Sequence, residues 1–233
     1  MENKVTKAEL SCIDPRCTPY EREGLKIRRL GGFAGGSMKR HMPSLLRRYG
    51  IEELNIRMHD DCGAIKLVGA ALKDPNRLDS AMYAAMVKPF AKRISDPHES
   101  LPQLDEIAKG ISREIAVRWK NDSYLKAIKC TKMHTKGEVT GEKVLLLTTP
   151  TTGKLNSIVS SIGLNPSNTY IATLFPGSFE EMAIDPQIAV KYLGIKRIVL
   201  YTEEDPYDVV KRFSKAALRG EIKIHGANMT LLR

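Results

Sequence analysis

Short apolar runs separated by polar and glycine-rich stretches set the rhythm of the first 64 residues. Residues 6–14, Thr-Lys-Ala-Glu-Leu-Ser-Cys-Ile-Asp, read as a short strand, and Pro15 prevents it from continuing into a central ladder. After a polar turn at Glu21-Arg22-Glu23-Gly24, residues 25–30 predict a second strand that stops at Gly31-Gly32, with a further pair at Gly35-Gly36. Glycine pairs serve either a close approach to a ligand or another strand, or a flexible loop. Ser37 is placed to cap a helix whose apolar face is Met42, Leu45 and Leu46 and whose end is Gly50. Leu54-Asn55-Ile56-Arg57-Met58 predicts a third strand. This strand–loop–strand–helix–strand order with short connections predicts an α/β fold in which helices cover a parallel sheet.

From 64 to about 127 the pattern turns helical, with apolar residues at Ile65, Leu67, Val68, Met82, Val87, Leu104, Ile107, Ile111 and Ile115, and with breaks at Asp74-Pro75-Asn76 and Asp96-Pro97-His98. The cations Lys88, Lys92, Arg93, Lys109, Arg113, Arg118 and Lys120 are expected on the solvated faces, and Trp119 among them in packing. Residues 125–147 then read as a strand, a hairpin at Lys136-Gly137-Glu138 and a second strand, Lys143-Val144-Leu145-Leu146-Leu147.

From there the pattern begins again. Tyr49-Gly50-Ile51-Glu52-Glu53-Leu54-Asn55-Ile56 has a counterpart in Leu193-Gly194-Ile195-Lys196-Arg197-Ile198-Val199-Leu200, in which Ile195 follows Ile51 by 144 positions. Residues 143–150 echo the first strand and its proline, and residues 169–178 echo the second strand and its glycine loop. At the same offset His59 falls opposite Glu203, Cys62 opposite Pro206, and Cys12 near Leu147 or Thr148. The second copy is therefore expected to keep the fold and lose the polar motifs of the first. Its threonine loop, Thr148-Thr149-Pro150-Thr151-Thr152-Gly153-Lys154, lacks the upstream glycine of a phosphate loop and reads as a polar connection. Glu203-Glu204-Asp205 is an acidic cluster at the end of the corresponding later strand.

Charge is uneven. Of 37 basic and 27 acidic residues, 11 and 9 fall in residues 141–233, which leaves 26 and 18 in the first 140. A basic field attracts anions, including bicarbonate, phosphate and nucleic acid; no aromatic-interleaved basic motif accompanies it. No run of about 18 apolar residues is present, and the first residues lack the form of a secretory signal, so a cytoplasmic protein without a membrane span is expected. The four cysteines, at 12, 17, 62 and 130, are too few and too dispersed for a disulfide scaffold. Cys17 and Cys130 read as ordinary buried or half-buried thiols.

The chemistry concentrates in Cys12-Ile13-Asp14-Pro15-Arg16 and His59-Asp60-Asp61-Cys62-Gly63, each placed just beyond an apolar run. Ligands of parallel sheets bind beyond the carboxyl ends of the strands. Cys12, His59 and Cys62 can converge on one ion, and two thiolates with one imidazole favour zinc with a fourth position open. Asp14 can pair with Arg16 and act as a proton acceptor beside that position, or it can take the position itself and close the site.

Taken together, Cys-x-Asp-x-Arg at 12–16, Arg-x-x-Gly-Gly at 28–32, a helix ending in Tyr-Gly-Ile and His-x-x-Cys-Gly-Ala at 59–64 resemble the β-class carbonic anhydrases. The second half resembles the same family in residues 189–195 and in Ile224-His225-Gly226-Ala227, without its metal motifs. The resemblance implies zinc on Cys12, His59 and Cys62, an Asp14–Arg16 dyad beside it, and a mostly parallel central sheet flanked by helices. It also implies a tight pair of units, here supplied by tandem duplication as a metal-bearing unit over 1–140 and a degenerate one over 141–233, with further oligomerisation of such pseudo-dimers open. The activity implied is hydration of carbon dioxide, or hydrolysis of a related linear electrophile such as carbon disulfide or carbonyl sulfide. Arg29-Leu30 departs from the polar-then-small pair usual before the glycines. The competing reading is an inactive zinc module turned to nucleic-acid or ribonucleoprotein binding.

Overall fold

The computed structural model describes residues 5–32, 38–96, 98, 100–175, 179–202, 208–219 and 228–232. Gly35-Gly36, the Ser37 cap, Pro97, the loop at 176–178, the acidic cluster with Pro206, and residues 224–227 lie outside them. Among the described residues, eight strands form two four-stranded sheets whose paired strands all run parallel. The first contains β1 (Lys7–Cys12), β2 (Leu25–Arg29), β3 (Glu53–His59) and β4 (Ala127–Met133), in the order β2-β1-β3-β4. The second contains β5 (Val144–Thr148), β6 (Thr169–Thr173), β7 (Arg197–Tyr201) and β8 (Asn228–Leu232), in the order β6-β5-β7-β8. The expected parallel α/β architecture is thus present, divided between two sheets of matching order.

The intervening helices follow the sequence pattern. In the first half α1 (Met38–Arg48) crosses from β2 to β3, and α2 (Gly63–Lys73) leaves β3. Next, α3 (Ser80–Met82) runs through a π turn at Tyr83–Val87 into α4 (Lys88–Ala91), and α5 (Leu101–Trp119) leads to β4. In the second half α6 (Leu155–Ser161), α7 (Phe179–Leu193) and α8 (Val209–Leu218) occupy the three connections in turn. Gly50 and Gly194 both take left-handed backbone, at φ 64° and 69°, and each is followed by a fully buried isoleucine, Ile51 and Ile195. The run noted at 49–56 and 193–200 therefore marks the same helix-to-strand corner twice.

The registers explain why the offset drifts. Lys7 pairs with Glu53 as Val144 pairs with Arg197, an offset of 137 for β1 and β5 and 144 for β3 and β7. Glu53 pairs with Ala127 as Arg197 pairs with Asn228, so the offset falls to 101 at the last strand. The longer helical stretch between β3 and β4 accounts for the fall. In this register Cys12 corresponds to Thr149, one or two residues beyond the Leu147 or Thr148 expected from sequence.

Lys136-Gly137-Glu138 forms no hairpin, because β4 and β5 belong to different sheets. The half-exposed β4, with Lys129 and Lys132 exposed, suits an edge, whereas every residue of β5 is buried and needs cover on both faces.

A continuous apolar core takes residues from both sheets, including Leu10, Ile27 and Ile56 from the first and Leu145, Tyr170 and Leu200 from the second. The cations expected on solvated faces are exposed, apart from half-buried Lys109, and Trp119 is 2% exposed and packed. Strands β2 and β6 meet where the halves join. The Lys26 amide donates to Thr151 O at 2.6 Å, the Ile171 amide to Ile13 O at 2.9 Å, and the Arg28 amide to Thr173 Oγ1 at 2.9 Å. Among the described residues, no helix is long and apolar enough to cross a membrane.

Candidate metal centre

Cys12 ends β1, His59 ends β3, and Cys62 immediately precedes α2. The loops after β1 and β3 leave toward opposite sides of the sheet, since β2 lies beyond β1 and β4 beyond β3. Such a switch point opens a crevice at the strand ends. There the donor atoms of Cys12, His59 and Cys62 all lie within 4.8 Å of one another, all three residues are buried, and the two sulfurs stand 3.9 Å apart. The three can therefore hold a metal ion. Cys62 also sits at the N-terminus of α2, where the helix dipole favours a thiolate.

Two backbone supports hold Cys12. Arg28, 1% exposed, donates through Nη1 to Cys12 O at 2.9 Å and through Nη2 to Glu21 Oε1 at 2.7 Å. Gly32 approaches from the other side with φ 62°; a Cβ there would stand 2.8 Å from Arg57 O and 3.2 Å from Cys12 N. Gly32 thus serves close approach to neighbouring strands rather than a free loop.

Asp14 caps the short 3-10 turn Pro15–Tyr20 by accepting the Arg16 amide at 2.9 Å. The Arg16 side chain folds back on the same carboxylate, with Nε 3.0 Å from Oδ1 and Nη2 2.7 Å from Oδ2. Burial disfavours the Asp14 charge, but the Arg16 hydrogen bonds outweigh it and hold the carboxyl below the usual range. Asp14 therefore faces Arg16 and is not among the clustered donors.

Among the protein groups alone, burial opposes ionisation of Cys12, yet a hydrogen bond from Cys62 and the charge of His59 bring its thiol well below the ordinary value. Cys62, as donor to Cys12 and as a buried thiol, is pushed well above it. Burial works against a charged His59, but the neighbouring Cys12 thiolate raises its pKa. Metal ligands must be a thiolate or a neutral imidazole, so binding a divalent ion here would expel the Cys62 and His59 protons. Among the described residues the fully buried His59 Nε2 makes no hydrogen bond, so once its proton is lost its lone pair is available to an ion.

The sequence reading did not single out Thr135 or Tyr170. Thr135 Oγ1 lies 3.5 Å from His59 Nδ1. Tyr170, 6% exposed, comes from β6 in the second half; burial pushes its phenol up to about 12, helped by the Asp14 charge. It therefore stands within electrostatic reach of the site as a neutral group. A tyrosine within an apolar strand carries no periodicity signal of such a role. Cys17 is a buried thiol, as expected, raised by burial and lying against the His59 ring without joining the donor cluster. Cys130 is half-buried. Comparison of the chain with models of known protein families and with curated proteins gives no match.

Proposed function

We propose that this protein is a zinc-dependent lyase that hydrates carbon dioxide to bicarbonate, or a hydrolase of a related linear electrophile such as carbonyl sulfide or carbon disulfide. What supports the reading most is the pairing of a three-donor buried cluster with a carboxylate that is held by arginine instead of joining the donors. The donor chemistry fits zinc: thiolates about 2.3 Å from a tetrahedral ion stand about 3.8 Å apart, against 3.9 Å between Cys12 and Cys62. Cys12, Cys62 and the Nε2 of His59 would hold the ion. Zinc held there would lower the pKa of a bound water toward about 7.

The chain's own groups supply the rest. Asp14, kept ionised by Arg16, is an acceptor and can orient a water by taking its hydrogen bond at a carboxylate oxygen. Arg16 in turn is braced by Gly137 O at 3.2 Å, with Asp61 Oδ2 at 3.6 Å. Tyr170 of β6 brings a neutral group of the second half within reach of the Asp14 charge, and the next residue, Ile171, donates its amide to Ile13 O at 2.9 Å. We read the matching strand orders and helix corners as a tandem duplication in which only the first unit kept metal ligands.

The test is hydration of carbon dioxide and release of sulfide from carbonyl sulfide and carbon disulfide by purified, zinc-loaded protein. The expected outcome is acceleration of one of these reactions, with Asp14→Asn retaining zinc and slowing turnover by about 10²-fold or more. Full zinc occupancy without acceleration of any of them would refute the reading.

A further inference from the structure

The segment that leaves β4 reaches both halves of the candidate centre. The β3–β4 ladder ends at the pair His59 and Met133, and the Asp60 amide donates to Met133 O at 3.2 Å. This fixes where the chain emerges beside His59. Two residues later, Thr135 donates its amide to Asp60 Oδ1 at 2.8 Å, and its hydroxyl stands 3.1 Å from the same oxygen. Asp60 Oδ2 is held by His134 Nδ1 at 3.0 Å, and Gly137 O accepts from Arg16 Nη1 at 3.2 Å.

A threonine hydroxyl has one proton. Asp60 offers that proton two acceptors, Oδ1 at 3.1 Å and its backbone O at 3.3 Å, both nearer than His59 Nδ1 at 3.5 Å, which assigns the proton to Asp60 and leaves an oxygen lone pair for Nδ1. An acceptor at Nδ1 keeps a proton there and leaves the lone pair on the buried Nε2. We propose that Thr135 is the positioning residue of the metal centre: fixed as a donor to Asp60, it selects the His59 tautomer that ligates through Nε2. Asp60 thereby acts on the metal ligand through an intervening hydroxyl. This inference rests on the proposed zinc reading and adds to it a source of affinity outside the ligand set.

The experiment compares full-length wild type, Thr135→Val and Thr135→Ser. Zinc affinity is measured by competition with a chromogenic chelator, and the ligand-field spectrum of the cobalt(II)-loaded forms is recorded alongside. Loss of such an outer partner weakens metal binding about 10- to 100-fold. That range is expected for Thr135→Val, with an altered cobalt spectrum, while Thr135→Ser stays close to wild type. The melting temperatures of the metal-free forms should remain alike, which separates positioning from general destabilisation. If valine lowers that temperature, Thr135→Ala serves in its place. Wild-type affinity in Thr135→Val, or a loss in Thr135→Ser as large as in valine, would overturn the inference while leaving the zinc reading intact. Wild-type protein that takes up neither zinc nor cobalt would overturn both.

Discussion

The turn after β1 and the turn after β5 share a backbone device and differ in chemistry. In the first, the Arg16 amide donates to Asp14 Oδ1 at 2.9 Å; in the second, the Gly153 amide donates to Thr151 Oγ1 at 3.1 Å. The ladder offset of 137 makes these the same positions, and it sets Cys12 against Thr149. A side-chain oxygen two residues before the amide is enough to build the turn, so a hydroxyl replaces a carboxylate without loss of fold. What the second turn lacks is charge and sulfur. The geometry of the strand end thus belongs to the architecture, and reactivity resides in the few side chains placed on it.

The largest test of this contrast removes one sulfur. Cys62→Ser should abolish stoichiometric zinc after dialysis, measured by elemental analysis, whereas Thr149→Ala in the second turn should leave zinc content unchanged. Full occupancy in Cys62→Ser would contradict the ligand assignment. A loss of zinc in Thr149→Ala would mean that the second turn shares in metal binding.

The two sheets differ again on the face turned from the main core. In the second sheet Val144, Leu146, Ile171 and Val199 pack with Leu155, Ile158 and Val159 of α6 in a small apolar cluster. In the first, Glu9, Ser11, Lys26, Arg28 and Arg57 are all buried, with Arg57 Nη1 3.0 Å from Glu9 and Arg28 Nη2 2.7 Å from Glu21. Glu21 also accepts the Leu155 amide at the start of α6, at 3.1 Å. Removing one partner of such a pair leaves a buried charge unmatched, which costs about 3–5 kcal/mol. Glu21→Ala should therefore destabilise the protein by about that much in urea denaturation. A loss below about 1 kcal/mol would show that water enters to replace the carboxylate, and that this face is as tolerant as a surface.

How far these differences could be read in advance depends on the signal that each leaves in the chain. Cys12, His59 and Cys62 were legible because strand ends and their motifs are local, and so was the Asp14–Arg16 pair, whose partners are two residues apart. The corners at Gly50 and Gly194 were legible for the same reason. The burial of Arg28 and Arg57 was not: alternation in β2 and β3 marks those positions as facing away from the core, and nothing in it says that another element will cover them. The separation of β4 from β5 was equally hidden, because parallel pairing is set by contacts distant in sequence. Thr135 reaches His59 across 76 positions, and no pattern along the chain announces that contact.

Tyr170 gives the smallest test of the comparison between halves. It pairs with Leu145 as Leu25 pairs with Ala8, so the second half places a phenol where the first places an aliphatic side chain. Its pKa is raised to about 12, chiefly by burial. Free tyrosine ionises near 10, so between these values the unfolded chain gives up the proton and the folded protein keeps it. The neutral phenol is therefore fully compatible with folding below about pH 10, and stability falls as the pH rises from about 10 to about 12. A shift of two units corresponds to at most about 2.7 kcal/mol. Tyr170→Phe should lose less stability than wild type across that window, by up to about 2 kcal/mol in denaturant titrations at the two pH values. Equal losses in the two proteins would mean that the phenol ionises as readily folded as unfolded, and that its hydroxyl opens to water beside the Asp14–Arg16 dyad instead of forming a dry wall from the second half.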